Sequence, residues 1–452
     1  MTALIDTKGR MISRPQLLQS MGFSMLASCF GSGFLAVAYG MPLAMFMQSI
    51  GASGLVIGLV STVRQAATVA QIPAALMSEN LNSRKSIWLA CALTHRALWL
   101  VVAAVAAWAA PHQWWLALSI VALVGLSDAL GNAAAAPWYS WLADLIPLNI
   151  SGRFWGMRQT VVTAVSLSAL AAASVTLDAF RVPATGQATR QGFGIVFAIA
   201  ALFGIADIFV HLMVRDPQSV RVPRETATHK RILAPLWNPD FRLLTLALGV
   251  WAIAWAMVNA FAPIYLKRDF GLSYTQIASL GIASGLGAVI TSYLAGHLVD
   301  KVGAKRLAVV LAAATPVPNV VWFFLDRSVV HVGVFAFPQP VVLLVAASLA
   351  SGMCTSSMYL CQVRLAAELS EVRGRTLSIA VHWSSVGLLS AIGPITGGLL
   401  MDHFPAHPAW KIASGLPFSF FQVQIMAHTL LLWGGMLPLL MAIRQKPKES
   451  RG

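Results

Sequence analysis

Charge is what this sequence has least of. Only 10% of its 452 residues are Asp, Glu, Lys or Arg, against 58% hydrophobic residues. A soluble domain carries roughly 25% charged residues, so a water-soluble globular protein is excluded and the lipid bilayer is the expected solvent. Acids are scarcer still, 16 against 31 basic residues, for a net charge of +15. With so little polar surface, this excess reads as a topology signal at one membrane face, and nucleic acid is not expected as a partner. Cys29, Cys91, Cys354 and Cys361 all lie in apolar runs at spacings that suit neither a zinc site nor disulfide staples. A G-x-x-x-x-G-K-[ST] nucleotide loop, H-E-x-x-H and G-x-S-x-G are missing, and no loop is long enough for a soluble catalytic domain. An enzyme is therefore not expected, and no catalytic residue, metal or cofactor is assigned. The first apolar run, beginning near Met21, is long enough to span and is not followed by a small-residue cleavage site.

What is present is a series of long apolar runs. Each bilayer crossing needs about 20 such residues, and a helix satisfies its backbone within one segment. Strand-like alternation is absent, which argues against a membrane barrel. Spans are predicted at about 20–48, 53–78, 86–109, 114–141, 155–179, 191–213, 240–266, 273–299, 307–326, 339–364, 376–401 and 419–443. The domains follow: an N-terminal segment 1–19, a six-helix bundle 20–213, a polar linker 214–239, a second six-helix bundle 240–444 and a tail 445–452. With both termini cytoplasmic, the outer face holds only Arg181, Arg190, Lys267, Arg268, Arg327 and Lys411, and most other basic residues fall inside.

The two halves echo one another. GHLVDKVGAKR (Gly296 to Arg306) falls between spans eight and nine, and ALMSENLNSRK (Ala75 to Lys85) between spans two and three. Without gaps, Asp300 matches Glu79, and Lys305-Arg306 match Arg84-Lys85. LADLIPLNISGRFWGMRQT after span four likewise parallels LAAELSEVRGRTLSIAVHW after span ten, with Gly152-Arg153 corresponding to Gly374-Arg375. Two matches in equivalent loops point to an internal duplication, as in many secondary transporters.

GHLVDKVGAKR resembles the cytoplasmic loop motif of the major facilitator superfamily, G-x-L-x-D-x-x-G-x-K/R-R, through Gly296, Leu298, Asp300, Gly303, Lys305 and Arg306. The stretch from Pro137 to Arg158 loosely resembles the sugar–cation symporter branch. The resemblance implies an all-α polytopic fold of 12 transmembrane helices in two pseudo-symmetric six-helix bundles. These would rock about a central cavity lined by spans one, four, seven and ten. It also implies that the loop acid latches the cytoplasmic side by docking on a helix start, where free N–H groups favour a carboxylate. Asp300 would meet the start of span five near Arg153, and Glu79 the start of span eleven near Arg373 and Arg375. Arg84, Lys305 and Arg306 complete the expected gate.

Ionisable residues within a membrane are expensive and mark function by default. Asp128 in span four is the first candidate for proton coupling. It has Asn132 one turn later, and its other readings are a contact for a substrate amine or a neutralising partner for Arg96 or Arg64. Arg96, Arg64, Asp207 and His382 are second-tier coupling candidates, each with an alternative as a structural ion pair or interhelical hydrogen-bonder. Substrate-cavity candidates are Tyr39, Asn132, Trp138, Trp251, Trp255, Asn259, Tyr359 and Gln362, with helix packing or an interfacial belt as the competing reading. Gly31, Gly33, Gly40 and Pro42 in span one, and the GPITGG run in span eleven, read as joints or close-packing sites.

The expected function is a secondary active transporter moving a small organic solute by alternating access, with protons as the coupling ion. Short loops suggest a bacterial inner membrane, and a monomer is expected. Alternatives are a sodium-coupled symporter, a uniporter, or a non-transporting assembly or pigment-handling protein on the same fold.

Overall fold

The computed structural model describes residues 6–7, 9–78, 84–108, 114–217, 234–370, 375–404 and 406–444. Among the described residues, twelve helices are long and apolar enough to cross a membrane: Arg14–Ser49, Gly54–Ala74, Lys85–Trp108, Trp115–Leu145, Arg153–Ala179, Arg190–Leu212, Pro239–Phe270, Tyr274–Thr291, Ala304–Phe323, Gln339–Leu369, Leu377–His403 and Phe420–Ala442. They are called spans one to twelve below, and each coincides with a predicted run. The longest polar stretch of the linker, and Glu79 and Arg373, lie outside the described residues.

Local chemistry sets the helix ends. The Ser53 and Thr189 hydroxyls accept from the amides of Val56 and Gly192 at the starts of spans two and six. Ser273 and Gln276 form a reciprocal capping box at the start of span eight. Spans one and seven are each broken near their far ends. Helix Arg14–Ala38 gives way to Met41–Ser49, and Pro239–Asn259 to Ala262–Phe270. Pro42 and Pro263 sit at the starts of the second pieces, where a missing N–H costs nothing. They are as many residues apart as Glu79 and Asp300, so the duplication extends to the kink. Beyond the helices, two short antiparallel hairpins form among the described residues, Val329–Val332 with Phe335–Pro338 and His407–Lys411 with Pro417–Phe418. They join spans nine to ten and eleven to twelve, in stretches the periodicity leaves as loops.

The chain divides into two compact units. The first comprises residues 1–224 and 260–282, and the second residues 225–259 and 283–452. This differs from a division at the linker alone, because the end of span seven and the start of span eight belong with the first unit. The first unit buries an aromatic core that includes Phe34, Phe46, Trp99, Phe193 and Phe197. In the second unit spans eight and ten approach at backbone distance. A Cβ on Gly352 would lie 1.9 Å from the Ser284 carbonyl oxygen, which leaves no room for any side chain.

Each unit closes one edge with the same device. Lys85 Nζ, at the start of span three, donates to the carbonyls of Leu212 and Val214 at 2.6 and 2.8 Å. Lys305 Nζ, at the start of span nine, donates to Met441 and Ile443 at 3.0 and 2.6 Å. A lysine from the third helix of each unit thus satisfies the orphan carbonyls ending the sixth, where the helix dipole favours a cation. Structurally Lys305 is the counterpart of Lys85, one position away from the Arg84 that a gapless match assigns to it.

Candidate functional site

The first unit holds a buried polar network on spans one to six. Asp128 is 1% exposed, and a carboxylate so enclosed needs partners. The Arg64 guanidinium supplies one at 3.1 Å, through Nε to Oδ2. The Tyr39 hydroxyl donates to Oδ1 at 2.6 Å, and Arg64 lies over the Tyr39 ring at 3.9 Å. Of the two arginines expected to neutralise Asp128, Arg64 does so. Asn132 turns toward the helix: its Nδ2 donates to the Asp128 carbonyl, and Gln71 Nε2 donates to its Oδ1 at 2.7 Å.

A second buried pair lies beside the first. Arg96 NH2 is 3.2 Å from Asp207 Oδ2, and the guanidinium lies 4.1 Å from the Phe34 ring centre. Two glycines make the space. A Cβ on Gly31 would lie 2.7 Å from Asp207 Oδ2, and one on Gly204 would lie 2.6 Å from Arg96 Cδ. Arg96 Nε and NH1 are buried with no partner among the described residues. The bridge between the pairs is His95, adjacent to Arg96, whose Nδ1 is 2.7 Å from the hydroxyl of Ser127, adjacent to Asp128. That hydroxyl gives its proton to the His95 carbonyl, so the ring nitrogen is the donor.

The network continues from Asp207. Its Oδ1 is 2.8 Å from His211 Nδ1, and the Trp138 indole N–H donates to His211 Nε2 at 3.0 Å. An indole nitrogen can only donate, so Nε2 accepts and Nδ1 carries the proton, leaving His211 neutral between Asp207 and Trp138. The Trp138 ring also meets Arg158, whose Cζ is 4.8 Å from its ring centre and 5.4 Å from that of Trp155. Arg158 Nε donates to the Ser28 hydroxyl at 2.8 Å. By sequence Arg158 is just one of the remaining basic residues that fall on the inner face. Its one available signal was a position in the MRQT run just past the start of span five.

Asp178, at the end of span five, was also missed. Its carboxylate accepts from the amides of Tyr274 and Thr275 at 2.9 and 2.8 Å and from the Thr275 hydroxyl at 2.6 Å. A carboxylate seated on a helix start is the kind of contact foreseen for Asp300, and here it caps span eight. Asp300 itself is exposed near the end of helix Tyr274–Val302. Arg84 pairs with Asp144, Arg153 and Arg306 are exposed, and the side chain of Arg375 lies outside the description.

In the second unit His382 sits between Thr245 and Gln362. Thr245 donates its one hydroxyl proton to the Phe241 carbonyl, so His382 Nδ1 donates to Thr245 Oγ1 at 2.9 Å. Gln362 Nε2 then donates to Nε2 at 3.0 Å, and the imidazole is neutral and satisfied. Tyr359 packs on Trp383, Trp255 and Asn259 are exposed, and the indole N–H of Trp251 is buried without a partner among the described residues. The buried carboxylate–guanidinium pairs described above therefore belong to the first unit.

Comparisons with known proteins agree with this architecture. The family model described as Major Facilitator Superfamily matches residues 244–433. Among solved structures, the nucleoside transporter NupG has a TM-score of 0.64 at 13% identity over 95% of this chain and 98% of its own. A D-xylose–proton symporter gives 0.64 at 16% identity over 94% and 98%. A bacterial homologue of the human lysosomal transporter Spinster, solved inward-facing and occupied, gives 0.64 at 17% identity over 95% of both chains. No curated protein sequence matches significantly.

Proposed function

We propose that the chain is a member of the major facilitator superfamily, whose model matches residues 244–433, and that it is a secondary active transporter of a small organic solute, working by alternating access and coupled to protons. The observation that carries the reading is Asp128, buried in span four and held by Arg64 and Tyr39. A carboxylate pinned by a guanidinium releases it on taking up a proton, and the freed arginine then seeks another partner. One proton thereby becomes a rearrangement of three helices. Asp207, shared by Arg96 and His211, is the second coupling group. The neutral, satisfied His382 ranks below both.

The proposed setting is a bacterial inner membrane, with both termini cytoplasmic and the protein monomeric. In that topology Asp300 and Glu79 serve the cytoplasmic gate, with Arg84, Arg153, Lys305, Arg306, Arg373 and Arg375 around them. Asp178 then makes its helix-start contact at the opposite face. Tyr39, Asn132, Trp138, Trp251, Trp255, Asn259, Tyr359 and Gln362 remain the proposed substrate contacts.

The test is transport by proteoliposomes under an imposed pH gradient across a solute library, with Asp128→Asn in parallel. Accumulation that follows the gradient and is lost in the variant supports the proposal. Accumulation that follows a sodium gradient instead would establish the sodium symporter. Downhill flux indifferent to both gradients would establish a uniporter, and folded protein that carries no solute would favour an assembly role.

A further inference from the structure

The buried network of the first unit contains more guanidinium than carboxylate. Arg64 is matched by Asp128 and Arg96 by Asp207. Arg158 has no carboxylate of its own among the described residues. Asp207, which faces it electrostatically, is already committed to Arg96 and His211. Three guanidiniums against two carboxylates leave the set at least one surplus positive charge.

That surplus sits on a half-buried side chain held in place by its neighbours. Arg158 lies a little over one turn inside span five, and its Nε is tied inward to Ser28, a residue 4% exposed on span one. Its guanidinium carbon lies over the rings of Trp138 and Trp155. Tyr139 packs edge-on against Trp138 at 4.8 Å between ring centres and leans on Trp155 at 6.2 Å, while remaining 58% exposed. The guanidinium is thus fixed in orientation, and its terminal NH2 groups have no hydrogen-bond partner among the described residues. Five donors in a rigid fork match a carboxylate bidentately, and the rings around them offer a wall to the body of the molecule that carries it. A half-buried guanidinium held in this way, with aromatic neighbours and no acid of its own among the described residues, leaves its free end open to an anion.

We propose that Arg158 is the carboxylate-binding group of the transport site, so that the carried solute is an organic anion whose planar or apolar body packs against Tyr139 and Trp155. The inference rests on the transporter reading and narrows its substrate class. Trp138 joins this subsite to the protonatable pair, since its ring carries Arg158 and its N–H holds His211.

The experiment compares uptake into proteoliposomes of aromatic and aliphatic monocarboxylates, each beside its own primary amide. The acid is expected to be carried with a KM on the order of tenfold or more below that of its amide, the worth of a charge-assisted pair. Arg158→Gln should erase that difference by raising the KM for the acid and leaving that for the amide in place. Arg158→Lys keeps the charge and loses the fork, and should fall between. If Arg158→Gln does not fold, Ser28→Ala removes the acceptor of Nε along with a local bond to the Ser24 carbonyl, and should raise the KM for the acid severalfold while sparing the amide. Native protein that carries neutral solutes with kinetics indifferent to Arg158→Gln or Ser28→Ala would overturn the subsite and leave the transporter reading standing. Native protein that carries nothing would overturn both.

Discussion

Replacing Asp128 by Asn is the sharpest perturbation this structure offers. The change is nearly isosteric, and Oδ1 remains available to the Tyr39 hydroxyl that donates to it at 2.6 Å. What disappears is the negative charge facing Arg64 Nε at 3.1 Å. Removing one partner of a buried pair costs about 3–5 kcal/mol, because the other charge stays behind uncompensated. Here Asp128 is fully enclosed, but the Arg64 side chain is 16% exposed and can relax somewhat. The low end, about 3 kcal/mol, therefore applies. A double-mutant cycle with Arg64→Gln isolates the pair, and a coupling energy of about 2–3 kcal/mol in reversible unfolding is expected. Stability alone does not separate a structural pair from a coupling one, so the second assay is transport. Asp128→Asn should abolish accumulation driven by a pH gradient and preserve exchange of solute at equal pH on both sides. Undiminished gradient-driven accumulation would refute the coupling role. A coupling energy near zero would refute the pairing on which that role depends.

Other outcomes follow from neighbouring geometry. Gly204→Ala places a Cβ 2.6 Å from Arg96 Cδ and 3.1 Å from the Phe34 ring, and overpacking of this kind should cost about 1–3 kcal/mol in thermal unfolding, whereas Gly33→Ala, whose nearest neighbour would be 3.9 Å away, should be almost silent. Asp178→Ala strips three hydrogen bonds from the start of span eight and should cost about 1–2 kcal/mol, with hydrogen exchange faster at Tyr274 and Thr275. Lys85→Met and Lys305→Met each leave two helix-end carbonyls unpaired, and equal losses of about 1 kcal/mol are expected; a silent variant at either site would break the equivalence of the two caps.

The fold was legible because the bilayer imposes a one-dimensional rule. A chain in hydrocarbon must satisfy its backbone within each segment, so length and hydropathy of a run suffice to place a helix, and all twelve spans were readable one by one. The duplication was readable too, since loops keep charges and glycines at fixed spacing, although only contacts identify Lys85 as the partner of Lys305. The hairpin at Val329–Val332 and the membership of residues 260–282 were not, because both depend on what lies across from a segment.

The site divides in the same way. Asp128, Arg64, Arg96, Asp207, Tyr39 and Trp138 stood out by themselves, because an ionisable or amphipathic side chain inside an apolar run needs a partner whatever the fold. Composition thus determined that the chain is a polytopic helical membrane protein with costly polar groups in its interior. Which acid answers which arginine was decided by tertiary structure alone. Pairing joins residues as distant in sequence as Arg96 and Asp207, and it turns on helix faces and on the gaps left at Gly31 and Gly204. For the same reason Arg158 passed as one more basic residue near a helix end. Only the packing of spans one, four and five, which ties it to Ser28 and sets it beside two indoles, makes it a half-buried cation without a carboxylate among the described residues.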